Sequence, residues 1–171
     1  MKMNLLVFAL AVLTVVCCKN VKDDSIKTHE NLIENRLAVL VDSCWNQKDM
    51  EKLSSITTQN FTRNLNGIDL INTEKEMEAH MNVFFRAFPD FTLTLNDTYI
   101  KDALVFTHWE VNGTNTGIFA EAPATGKKIN ITGFSRIYFN EQGKIYREDV
   151  YYNELDLLQQ LGYTLVPPVL E

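Results

Sequence analysis

The chain has 171 residues, 46% of them hydrophobic and 22% charged, with only 7 Gly and 4 Pro. This is the make-up of one soluble globular domain, long enough to bury a core without disulfide staples. The formal net charge of -6 is spread over scattered acids, and no basic patch interleaved with aromatics follows a phosphate backbone, so nucleic acid is excluded as a partner.

The N-terminus reads as a segment separate from the fold. Lys2 precedes an apolar run from Leu5 to Val16 that is too short to cross a bilayer comfortably and has the length of a signal peptide. The run ends in "VVCC", which resembles a bacterial lipobox, where the lipidated cysteine becomes the first residue of the mature protein. Cys18 fits that role best, with the small Cys17 before the cut; Cys17 itself is the second candidate. Residues 1–17 are thus read as a lipoprotein signal peptide, 18–25 as a polar tether and 26–171 as the domain. The location expected is the bacterial cell envelope, with the membrane as a partner through the lipid. A non-lipidated signal and an uncleaved anchor helix are the competing readings. With both cysteines spent there, Cys44 is alone, no intrachain disulfide is available, and Cys44 is read as a buried small hydrophobe.

From Ile26 to Asn46 the residues Ile26, Ile33, Leu37, Leu40, Val41, Cys44 and Trp45 recur at helical spacing, and Asp49 to Ile56 adds a short second helix. A third helix opens with Thr73 as N-cap and Glu76 three residues on, carries Met77, Met81, Phe84, Phe85 and Phe88 on one face, and stops at Pro89. Beyond Pro89 the period becomes two: Phe91 to Leu95, Val105 to Asn112 and Ile129 to Phe139 read as strands. "NEQGKI" is a tight hairpin turn with Gly143 in the left-handed position. Helices first and an antiparallel sheet afterwards predict an α+β domain.

If Glu141 to Gly143 form a three-residue loop, Asn140 faces Lys144, Phe139 faces Ile145, Ser135 faces Asp149 and Gly133 faces Tyr151. This register groups Ser135, Asp149 and Tyr151 among Ile129, Ile131, Ile137 and Phe139, and a slip of one residue would send Asp149 to the other face. Trp109, with Val105 and Val111, is expected to point inward, and His80 lies beside the apolar stripe of the third helix where it would line a pocket. His29, His80 and His108 form no metal-binding pattern, so neither metal nor cofactor is expected.

"FPDF" at Phe88 to Phe91, "THWEVNGTNTG" from Thr107, "ATGKKINITGFSRI" from Ala124 and "GKIYREDVYYNELDLLQQLG" from Gly143 together resemble the SnoaL-like polyketide cyclases, a branch of the nuclear transport factor 2-like superfamily. The resemblance spans about Ile26 to Leu165. It implies a cone-shaped fold, a curved antiparallel sheet wrapped around the long N-terminal helix, with a pocket in the open end and often a homodimer through the sheet. It also implies a cofactor-free ring closure of aldol type, with an acid on the last strand as general acid/base. Asp149 best matches that acid, Ser135 stands where a polar partner is placed, and Asn153 occupies a position where relatives often carry Asp. The competing reading of Asp149 is an ion pair with Arg136 or Arg147. Two functions follow: a lipid-anchored cup for a small apolar or polyketide-like ligand, lined by Trp109, Ser135, Tyr151, Asn153 and His80, or a cyclase or isomerase using the acid.

Overall fold

The computed structural model describes residues 27–167. The signal peptide, Cys17, Cys18 and the tether lie outside them. Helix α1 covers residues 27–46; residues 27–38 are α-helical and continue into a π-helical segment, Val39–Asn46. It buries Ile33, Leu37, Leu40, Val41, Cys44 and Trp45, the stripe expected from the spacing. Burial pushes the Cys44 thiol up to about 12, with Asp49 adding to the effect, so this cysteine is inert filling rather than a nucleophile.

After a 3-10 turn at Met50–Lys52 come α2 (Leu53–Ile56), β1 (Thr57–Leu65) and β2 (Ile68–Ile71). Helix α3 (Glu74–Ala87) starts where its cap predicts: the Thr73 hydroxyl accepts from Glu76 N–H at 3.2 Å, and the Glu76 carboxylate accepts from Asn72 N–H at 2.7 Å. Then follow β3 (Thr92–Lys101), β4 (Leu104–Thr114), β5 (Lys128–Phe139), β6 (Ile145–Tyr152) and α4 (Glu154–Leu161). The strands form one curved, unclosed six-stranded sheet in the order β2-β1-β6-β5-β4-β3. The helices pack against its concave side, and the expected α+β class holds.

The strand arrangement and one register are corrected. The sheet does not lie wholly after the helices, since the β1–β2 hairpin precedes α3, and it is not wholly antiparallel, since β1 runs parallel to β6 with Arg63 opposite Glu148. The inward residues of β1 are Thr57, Phe61, Arg63 and Leu65, and two polar ones among four hide the strand's alternation. Its turn is nonetheless written in the chain: Asn66 and Gly67 both take positive φ, 51° and 90°, as the hairpin turn favoured by Asn-Gly requires.

The second correction is the β5–β6 register. The hairpin turn is as expected, with Gly143 at φ 68°, its N–H donating to Asn140 O at 2.9 Å, and Phe139 opposite Ile145. One residue later the ladder shifts: Tyr138 faces Arg147, so Tyr146 is an extra residue, a β-bulge. Beyond it Ile137 faces Glu148, Arg136 faces Asp149, Ser135 faces Val150 and Gly133 faces Tyr152. Because side chains alternate with period two, the inserted residue moves Asp149 and Tyr151 to the outer face and brings Glu148 and Tyr152 inside.

Candidate functional site

Three rows of paired residues build the concave wall. Val105, Ile137 and Glu148 share one row, Thr107, Ser135 and Val150 the next, and Trp109, Gly133 and Tyr152 the third. Helices α1 and α3 close the opposite side with Trp45, His80 and Phe84. The cavity between them is walled mainly by Trp45, Phe91, Trp109, Val111, Ile129 and Ile131, and its polar groups come from Arg63, His80, Glu148 and Tyr152. The space open to the centres of water-sized molecules is about 70 Å³, several times the roughly 10–15 Å³ that one water needs.

Trp109 is held by backbone as well as by packing. A methyl group on Gly133 would stand 2.2 Å from Trp109 Cζ2, so the indole lies across the bare backbone of its cross-strand partner. Its Nε1–H donates to Ser135 Oγ at 3.0 Å, and Ser135 Oγ–H donates to Glu148 Oε1 at 2.9 Å. The direction of this chain is forced, because an indole nitrogen only donates and the serine has one proton to pass on. Glu148 therefore acts as acceptor at that oxygen. Its other oxygen, Oε2, lies 3.5 Å from Arg63 Nη1, in an ion pair whose side chains are each 10% exposed.

His80 and Tyr152 face the same space in their neutral forms. Burial, with a smaller push from the Arg63 charge, lowers His80 to about 3. Burial, with Glu154 adding to it and Arg63 opposing it, raises the Tyr152 hydroxyl to about 12. The Tyr152 ring meets Trp109 edge-on at 5.9 Å, and His80 meets Phe84 edge-on at 5.2 Å. The arrangement offers an apolar chamber with one carboxylate, one guanidinium and neutral donors, suited to a largely apolar molecule bearing oxygen.

Of the residues singled out in the sequence, Trp109 and His80 line this cavity and Ser135 supports it. The others stand elsewhere. Asp149 is on the outer face, where its carboxylate accepts from Arg136 Nη2 at 2.7 Å, Arg147 Nε at 2.7 Å and Tyr138 Oη at 3.0 Å. Burial alone would push it up, but these bonds outweigh burial and hold it below the usual carboxylate range. Tyr151 is opposite Phe134 on the same outer face and 45% exposed. Asn153 caps α4, its side-chain oxygen accepting from Asp156 N–H at 3.2 Å. Sequence reasoning missed Arg63, Glu148 and Tyr152. For Arg63 the available signal was the Asn66-Gly67 turn, which fixes β1 as a strand.

Among the described residues no cluster of three His, Cys, Asp or Glu side chains could hold a metal ion, and no helix is long and apolar enough to cross a membrane.

Known structures repeat this architecture. A candidate SnoaL-like polyketide cyclase from Jannaschia sp. CCS1 superposes with a TM-score of 0.71 at 15% identity, covering 81% of this chain and 94% of the other. IdmH, a candidate polyketide cyclase from Streptomyces antibioticus, gives 0.66 at 21% identity, covering 77% and 99%. AclR from Streptomyces galilaeus, described as a candidate hydroxylase, gives 0.65 at 20% identity, covering 80% and 97%. At such identities the likeness carries the fold alone, a curved sheet wrapped around helices. No curated protein matches the chain. The profile of SnoaL-like polyketide cyclases matches residues 35–161, most of the sequence, and on that match the chain belongs to the SnoaL-like polyketide cyclase family.

Proposed function

We propose that this domain is a binding cup for a compact, mainly apolar small molecule, held at the bacterial cell envelope by a lipid on Cys18. The observation that carries the reading is the chamber between the two tryptophans, apolar on most sides and polar only at Arg63, His80, Glu148 and Tyr152. A lipid anchor suits capture at a membrane surface. Both tryptophans of the chain line the cavity, so their fluorescence reports occupancy directly. Single-ring aromatic ligands are expected to quench it saturably, and Ile131→Trp, which fills the chamber, is expected to abolish the response. A parent protein that responds to none of them refutes the reading.

A cyclase or isomerase activity without cofactor is the second reading, favoured by the carboxylate inside the cup. Glu148 supplies the acid on the last strand that this reading requires, since Asp149 faces outward in ion pairs. Glu148→Gln would then lower turnover of an enolisable substrate by about a hundredfold or more, the usual loss on removing a general base. Asp149→Asn would leave the chemistry in place.

Two copies pair through the outer sheet face in this proposal. Support comes from a run of surface aromatics there, Tyr99 at 70% exposure beside Phe106, and Tyr151 at 45% beside Phe134. Light scattering on the parent and on Tyr151→Glu tests it: a dimer that the charge splits supports the pairing, and a monomeric parent refutes it.

A further inference from the structure

Arg63 is placed in an unusual way for a charged residue. It is 8% exposed, stands in the cavity wall and presents its guanidinium to an apolar chamber. Its partners are weak. Nη1 lies 3.4 Å from the Met77 sulfur, a poor acceptor, and 3.5 Å from Glu148 Oε2, too far for a strong hydrogen bond. The group packs over the Trp45 ring at 5.7 Å, and its Nε–H is buried without an acceptor. Meanwhile the nearest carboxylate already receives the Ser135 proton on its other oxygen. A buried charged donor left unpaired is costly, and buried polar groups are almost always satisfied.

We infer that Arg63 is the ligand-anchoring residue of this cup and that its guanidinium takes the carbonyl oxygen of a neutral, compact ligand whose remaining surface is apolar. The inference rests on the binding reading above and names the chemistry that the site selects. The neutrality follows from the charges facing the space. Glu148 balances Arg63, and His80 and Tyr152 are uncharged, so a ligand carboxylate would bring a second negative charge beside Glu148 in a mainly apolar chamber. A carbonyl oxygen adds an acceptor and no charge. The aromatic and aliphatic walls hold the rest of the ligand by burial.

Three probes of one shape separate the possibilities: acetophenone, α-methylstyrene, in which CH2 replaces the oxygen, and benzoate, which adds a charge. Binding to the full-length protein is read by tryptophan fluorescence. Acetophenone is expected to bind at least about tenfold tighter than α-methylstyrene, the lower end of what a hydrogen bond from a charged donor supplies. Arg63→Met should remove that preference while retaining α-methylstyrene. Should Arg63→Met fail to fold, the guanidinium N–H resonances of Arg63 in the 15N-labelled parent decide: they should shift more with acetophenone than with α-methylstyrene. Equal affinities for the two in the parent, or a preference that survives Arg63→Met, overturn the anchoring role while leaving the cup intact. Benzoate binding tightest overturns the neutral carbonyl. Failure of all three to bind the parent would instead strike the binding reading itself.

Discussion

Glu148 and Asp149 are consecutive residues that serve opposite faces of one strand: Glu148 receives the Ser135 proton inside the cup, while Asp149 is clasped outside by Arg136, Arg147 and Tyr138. The two residues are both nearly buried, Glu148 at 8% and Asp149 at 1% exposure, yet only the first touches the cavity.

Asp149→Asn should therefore cost stability and spare ligand binding. Removing the charge weakens bonds from two guanidiniums, themselves 40% and 44% exposed and so partly screened, and about 1–3 kcal/mol is expected in urea denaturation. The sign with pH follows from the lowered titration of Asp149. Its contribution is present above the ordinary carboxylate value near 3.9 and is lost as pH falls below that toward the folded value. The variant should thus lose part of the acid sensitivity of the parent.

His80 works in a different pH window. In the unfolded chain it takes a proton near pH 6.5, and in the fold only near about 3, so between these values the unfolded state binds more protons. Stability should rise with pH across that interval and level off above it, with this group contributing up to about 1.4 kcal/mol per pH unit. Urea midpoints of His80→Gln measured from pH 4 to 7 should show a shallower slope than the parent, and an unchanged slope would contradict the buried neutral imidazole.

Gly133→Ala should disturb the cup without touching a polar group. The added methyl would meet the Trp109 ring at 2.2 to 2.7 Å, so the indole must leave its place across the strand. Overpacking of this kind costs about 1–3 kcal/mol. The bond from Trp109 to Ser135 should break with it, seen as a shift of the Trp109 indole N–H resonance and a loss of ligand response.

Replacing Cys18 with Ala should stop incorporation of a fatty-acid probe in bacterial cells. Label that persists in Cys18→Ala but vanishes in Cys17→Ala would move the lipid to Cys17, and label that persists when both are changed would remove the anchor.

Much of the fold was legible because it rests on short-range chemistry. The Thr73 and Glu76 pair marks the start of α3, Pro89 marks its end, and the Asn140 to Lys144 turn is set by one glycine. Trp109 could be placed inward from the alternation of β4 alone. The site itself was less legible, for two physical reasons. A bulge has no strong sequence signature: Tyr146 looks like any other strand residue, but by occupying an unpaired position it exchanges the faces of every residue from Arg147 onward. Polar residues facing inward, Thr57 and Arg63, also hid the alternation of β1, although the sheet cannot be built without it.

The parallel seam between β1 and β6 bears on the life history of the molecule. Arg63 sits early in the domain and Glu148 near its end, and they become neighbours only when the first strand of the sheet is joined to the last. Such distant pairings close slowly, since the loop entropy of the whole intervening chain is lost first. A ribosome-bound chain that has not yet released β6 can fold helices and the β3–β4 hairpin, but it holds no cup. The cavity is thus completed only when β6 has paired with β1, and any truncation that removes β6 takes Glu148 and Tyr152 out of its wall.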